Sequence, residues 1–117
     1  GSRFGGMQTQ SPERYARLID RYFHLAPLSD TDAYFAQFAA DATVEDEGHD
    51  HHGVDAIRAW RSEVPMVSYE VRHIRSDDGM HVARAEIAGD FPGSPVELDF
   101  HFTFTADERI KFLAIRA

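Results

Sequence analysis

The sequence predicts an α+β domain, with helices in its first half and an antiparallel sheet in its second, on three observations. Apolar residues up to Val64 recur at the three/four spacing of a helical face. From Met66 onward they alternate, or run as β-branched and aromatic stretches broken by turn residues. The chain has 117 residues, enough for one domain around one core, and 43% hydrophobic against 27% charged residues suits a folded globule.

The elements follow in order. Ser11-Pro12-Glu13 is a helix start, combining a capping hydroxyl, a proline whose missing N–H costs nothing there, and an acid in the first turn. The first helix carries the stripe Tyr15, Leu18, Ile19, Tyr22, Phe23 and Ala26 and ends at Pro27. Ser29-Asp30-Thr31-Asp32 starts a second, with the stripe Tyr34, Phe35, Phe38 and Ala39. An extended piece covers about Ala42 to Asp46. A third helix after Gly53 runs to about Glu63, burying Val54, Ile57, Trp60 and Val64, and Pro65 closes it. Four strands then form a meander: Met66 to Arg75, Met80 to Phe91, Val96 to Thr105 and Ile110 to Arg116. Three helices laid across a curved sheet leave a cone with an open end.

Leu98, Phe100, Phe102 and Phe104 share the side of their strand that faces the helices. The last strand is apolar on both sides, so its outer face calls for cover, and a homodimer through that outer sheet face is expected. The balance of 12 Lys and Arg against 20 Asp and Glu, without a basic cluster, argues against nucleic acid as a partner. Absence of any long apolar run argues against a membrane span, and a cytoplasmic location is the expectation. With no cysteine, disulfides, thiolate metal sites and a cysteine nucleophile are excluded. Residues 1–6 read as a cloning remnant, leaving a single domain over 7–117.

Asp46 is the first candidate for chemistry. Strand alternation puts it on the side of Ala42 and Val44, away from Thr43, Glu45 and Glu47. An inward carboxylate beside an apolar cavity titrates closer to neutrality and suits a general base taking a proton from carbon. The competing reading is a strand-end acid turned back to water. Tyr22 lies in the buried stripe of the first helix, and its hydroxyl must find a partner. That partner is either a substrate oxygen, as for an oxyanion donor, or a backbone carbonyl in an ordinary core. Phe35, Phe38, Trp60, Phe100 and Phe102 form a candidate lining for a small hydrophobic molecule, or simply core. His49, His51 and His52 read as a solvated loop at the pocket mouth, with a metal grip as the minor alternative. No glycine-rich phosphate loop or nucleophile elbow is present, and neither metal nor cofactor is assigned.

The order of elements, together with these residues, resembles the nuclear transport factor 2-like superfamily, whose members fold as an α+β cone. Ala42-Thr43-Val44-Glu45-Asp46, preceded by Phe38-Ala39-Ala40-Asp41 and followed by Gly53-Val54-Asp55-Ala56-Ile57-Arg58-Ala59-Trp60, is similar to the ketosteroid isomerase pattern. The resemblance implies that Asp46 is the general base and Tyr22 the oxyanion-hole tyrosine. The second half, from Gly89 to Leu98 and then Phe102 to Ile115, is similar to the SnoaL-like polyketide cyclase branch. One departure stands out. The second oxyanion donor of the isomerases, an inward acid, falls on Phe100, and the hole is half-built.

The function expected is therefore proton transfer on a small hydrophobic carbonyl compound by an isomerase or cyclase, with Asp46 as base, Tyr22 as oxyanion donor and His49 at the pocket mouth. A non-catalytic binding or dimeric scaffold domain is the alternative from another class. A metal-dependent lyase or hydrolase using the histidines is the third.

Overall fold

The computed structural model describes residues 12–28 and 31–117. Ser11, Ser29 and Asp30, read above as helix-start residues, and the 1–6 remnant lie outside them. Helix α1 spans Pro12–Leu25, and a 3-10 turn, Ala26–Leu28, follows it. Of the predicted stripe, Leu18, Ile19, Tyr22, Phe23 and Ala26 are buried and Tyr15 is half-buried.

Helix α2, Asp32–Ala36, is shorter than expected. Thr31 caps it by accepting from the Tyr34 N–H at 3.4 Å. Phe38 and Ala39 do not extend it but open strand β1, Phe38–Asp46. The cause is tertiary: the Ile110 N–H donates to the Gln37 carbonyl at 2.8 Å, and Phe38 pairs in parallel with Ile110. That pairing draws the chain into the sheet one turn before the helical stripe runs out.

Strand β2, His49–His52, corrects the loop reading of the histidines. It returns antiparallel on β1 through Glu47 and Gly48, at φ of 51° and 87°. Two successive positive φ values match the right-handed twist of a tight hairpin, which leaves no length for a loop. Gly53 then leads into α3, Val54–Ser62.

The predicted meander forms β3, Val67–Asp77, β4, Met80–Gly89, β5, Val96–Phe104, and β6, Ile110–Arg116. Among the described residues six strands make one curved, unclosed sheet in the order β2-β1-β6-β5-β4-β3, antiparallel except where β1 meets β6. Helix α3 packs over β1 and β2, and α1 over β3. The core between them includes Ile19, Tyr22, Phe38, Val44, Ile57, Phe102 and Leu113.

The outer face is less apolar than the pattern of β6 suggested. Val82, Phe112 and Ala114 lie there with His101, detached from the core. Around them Arg72 bridges Glu70 and Glu86, Arg84 bridges Glu97 and Asp99, and Arg116 grips Glu45 with two bonds of 3.0 and 2.8 Å. The arginine stems supply part of the expected cover. Among the described residues, no helix is long and apolar enough to cross a membrane.

Candidate active site

A cavity of about 250 Å³ opens at the end of the cone where β1 stops. Asp46 and Glu47 from β1 and its turn line it, with Trp60, Arg61 and Val64 from α3 and its C-terminal turn, and Tyr69 from β3. Ile87, Leu98, Phe100 and Ile115 complete an apolar wall. The volume is near the lower end for a small-molecule site, where an apolar lining with few polar groups is the usual pattern.

Strand phase carries Asp46 inward beside Val44, and its carboxylate is half-buried. Trp60, one helical turn after Ile57, swings its indole across to it, and the indole N–H donates to Asp46 Oδ2 at 3.0 Å. That bond holds one carboxylate oxygen and leaves the other without a protein donor among the described residues. Outside this point a cleft of about 400 Å³ is lined by Asp46, His49, His51, Trp60 and Glu63. Asp46 and Trp60 therefore stand between cavity and cleft.

Tyr22 is elsewhere. Its side chain is fully enclosed, its hydroxyl lies 2.9 Å from that of Tyr34, and it is absent from the cavity wall. Burial pushes its pKa up to about 12, so it is a neutral core phenol at physiological pH. Phe35, Phe38 and Phe102 are also core residues: Phe35 packs under the Arg58 guanidinium, 4.3 Å from its ring, while Phe38 and Phe102 pack edge-on to Tyr22. Of the five aromatic residues expected to line the pocket, Trp60 and Phe100 do so. His49 lines the outer cleft. His51 and Trp60 are tilted neighbours with ring centroids 5.9 Å apart, whereas His52 is turned away and its Nδ1 is 2.8 Å from the Thr43 hydroxyl. Among the described residues no group of three or more His, Asp or Glu side chains is placed to hold a metal ion.

Arg61 and Tyr69 were not singled out from the sequence. Arg61 is only 6% exposed. One guanidinium nitrogen, Nη2, donates to the Ala26 carbonyl at 3.0 Å and to the Tyr69 hydroxyl at 2.7 Å. The cation also lies 5.0 Å from the Tyr34 ring centre and 5.3 Å from that of Trp60. Enclosing a cation costs several kcal/mol. Two bonds from a charged donor, at about 1.5–3 kcal/mol each, and aromatic faces at about 0.5–2 offset that. Burial disfavours the charge, but the hydroxyls of Tyr22, Tyr34 and Tyr69 outweigh it, and Arg61 stays protonated. A signal was available: Arg61 is four residues after Ile57 and three before Val64, on the buried stripe of α3, and Tyr69 alternates inward with Val67.

A family model for the SnoaL-like domain matches residues 9–112. No curated protein matches the sequence. Among solved structures, a candidate polyketide cyclase from Sinorhizobium meliloti is 39% identical, covering 86% of this chain and 94% of its own, with a TM-score of 0.78. A protein from Sphaerobacter thermophilus is 21% identical over 85% of this chain and 91% of its own, with a TM-score of 0.73. The epoxide hydrolase/cyclase-like enzyme SalBIII, of pyran ring formation in polyether salinomycin, is 19% identical over 92% of both chains, with a TM-score of 0.73. The latter two likenesses concern the fold. With most of its length matched by the family model and its cone of helices and sheet shared with these structures, the chain belongs to the SnoaL-like family of the nuclear transport factor 2-like fold.

Proposed function

We propose that the chain is a proton-transfer isomerase or cyclase acting on a small hydrophobic carbonyl compound, with Asp46 as general base. The observation that carries this is the placement of Asp46, a carboxylate at the wall of a largely apolar cavity, steadied at one oxygen by Trp60. Such a group can take a proton from carbon next to a carbonyl, because its surroundings are largely apolar and its second oxygen has no protein donor among the described residues. The likeness to a candidate polyketide cyclase at 39% identity supports the same class of substrate. The base half of the expected pair is kept; Tyr22, sealed against Tyr34, is not proposed as the donor.

The test is enolisation itself. In heavy water the protein is mixed with 2-tetralone, a small bicyclic ketone, and loss of the α-proton signals is followed by NMR. Exchange well above the buffer rate supports the proposal, and exchange at the buffer rate with the ketone bound contradicts it. The latter result would favour a second reading, a non-catalytic ligand-binding domain, for which the enclosed Tyr22 and the Phe100 at the second donor position speak.

A further inference from the structure

Enolisation moves negative charge from Asp46 to the ligand oxygen, and that oxygen needs a donor. Neither donor of the isomerase pattern serves: Tyr22 is off the cavity and Phe100 stands where an acid would be. We propose that Tyr69 is the catalytic hydrogen-bond donor to this oxygen and that Arg61 is its positioning residue. The inference rests on the proposed enolisation at Asp46.

The geometry of the pair supports it. A guanidinium only donates, so in the 2.7 Å contact with Arg61 Nη2 the Tyr69 oxygen is the acceptor. The single phenol hydrogen is then left without an acceptor among the described residues, on a side chain that lines the cavity. Hydrogen bonds in series polarise one another, so a phenol that accepts from a cation donates more strongly. The Tyr69 ring is fixed by Phe23 and Phe100, at centroid distances of 5.8 and 6.4 Å. Arg61 is fixed in turn by the Ala26 carbonyl. Among the described residues no carboxylate lies within 4.0 Å of Arg61, so its charge is not cancelled by an ion pair. Trp60 links the two ends of the site, its N–H on Asp46 and its ring 5.3 Å from the Arg61 cation.

The step balances without an oxidant or metal. Asp46 takes the α-proton, the C–H pair becomes a carbon–carbon double bond, and the carbonyl π pair moves to oxygen. That oxygen accepts from the Tyr69 hydroxyl. Return of the proton from Asp46 to a carbon of the enolate closes the cycle. Donors aimed at charge that develops during reaction are worth more than donors to the resting carbonyl.

The probe is 2-naphthol, which has the skeleton of the 2-tetralone enolate and whose absorbance distinguishes naphthol from naphtholate. Wild-type protein is expected to shift bound 2-naphthol toward naphtholate at a pH where the free compound is neutral. Tyr69→Phe should lose most of that shift and about 10²–10³-fold in kcat for 2-tetralone exchange, with KM changing less. Arg61→Lys should give an intermediate shift. Asp46→Asn should keep the naphtholate shift while losing exchange, which separates the donor from the base. Wild-type protein that binds only neutral naphthol, or none, overturns the assignment, as does a Tyr69→Phe variant that shifts it as far as wild type. A shift lost in Tyr22→Phe and retained in Tyr69→Phe returns the role to Tyr22 and also overturns it.

Discussion

The indole N–H of Trp60 donates to the Asp46 carboxylate at 3.0 Å, joining the end of β1 to the last turn of α3 across the mouth of the cavity. The same indole presents its ring to Arg61. One side chain therefore holds the anion of the site and touches its cation.

Trp60→Phe keeps an aromatic ring and removes the donor. A hydrogen bond to a charged group is worth about 1.5–3 kcal/mol, so loss of Asp46 orientation should lower kcat for ketone exchange by roughly 10- to 100-fold at most. Trp60→Ala should in addition destabilise the fold by about 3–5 kcal/mol. Steady-state exchange rates and urea unfolding of both variants check this.

Phe100 and Phe102 are neighbours in phase on β5 with different duties. Phe102 is fully buried away from the cavity, so Phe102→Ala should cost about 3–5 kcal/mol in stability and leave ligand size preference alone. Phe100 lines the cavity, so Phe100→Ala should enlarge it and shift preference toward bulkier ketones. Affinities for a graded series of bicyclic and tricyclic ketones distinguish the two.

The difference between these two phenylalanines shows what the sequence can and cannot carry. Alternation put both on the inner face, which is correct, because strand phase is local. Which inner residue meets the cavity depends on where α1 and α3 lie across the sheet, and that is a tertiary fact. The same limit hid Tyr22. Its place on the buried stripe of α1 was legible, but the Tyr34 hydroxyl that occupies it comes from another helix. Asp46 was legible because strand phase alone directs it. The β2 hairpin was missed because a histidine-rich segment reads as polar loop, although Glu47-Gly48 between two extended runs is a tight-turn signal.

Stability should fall on mild acidification. Burial lowers the pKa of His81 below its ordinary 6.5, and burial followed by the nearby Arg116 does the same for His101, with Arg75 adding to it and Asp99 and Glu45 opposing. Well above pH 6.5 both histidines are neutral in either state and contribute no slope. As pH falls through 6.5 the unfolded chain binds protons that the native state resists, so stability declines until the native imidazoles also titrate. Glu45, whose pKa is lowered from 4.5 by its bond to Arg116, adds a further loss in more acid solution. Urea midpoints measured from pH 7.5 to 4 should show the decline, and His101→Gln should make it shallower below pH 6.5, with His81 supplying the remainder.

A homodimer through the outer sheet face remains our proposal, supported by the half-buried Phe112 beside Val82 and Ala114 on that face. Thr103 pairs with Phe112 across β5 and β6. Thr103→Arg would put an unpaired charge into the contact. Sedimentation should show wild type as a dimer and this variant as a monomer with its secondary structure intact; a monomeric wild type at tens of micromolar contradicts the proposal.

In the proposed reaction Asp46 moves the proton. Asp46→Asn keeps size and shape, and its amide can still accept from the Trp60 N–H, so the fold should survive with an unchanged circular dichroism spectrum. The measurement is the rate of 2-tetralone α-proton exchange in heavy water for wild type and this variant at equal ligand occupancy. Exchange is expected to fall to the buffer rate in the variant. Exchange that persists at the wild-type rate in folded, ligand-bound Asp46→Asn contradicts it.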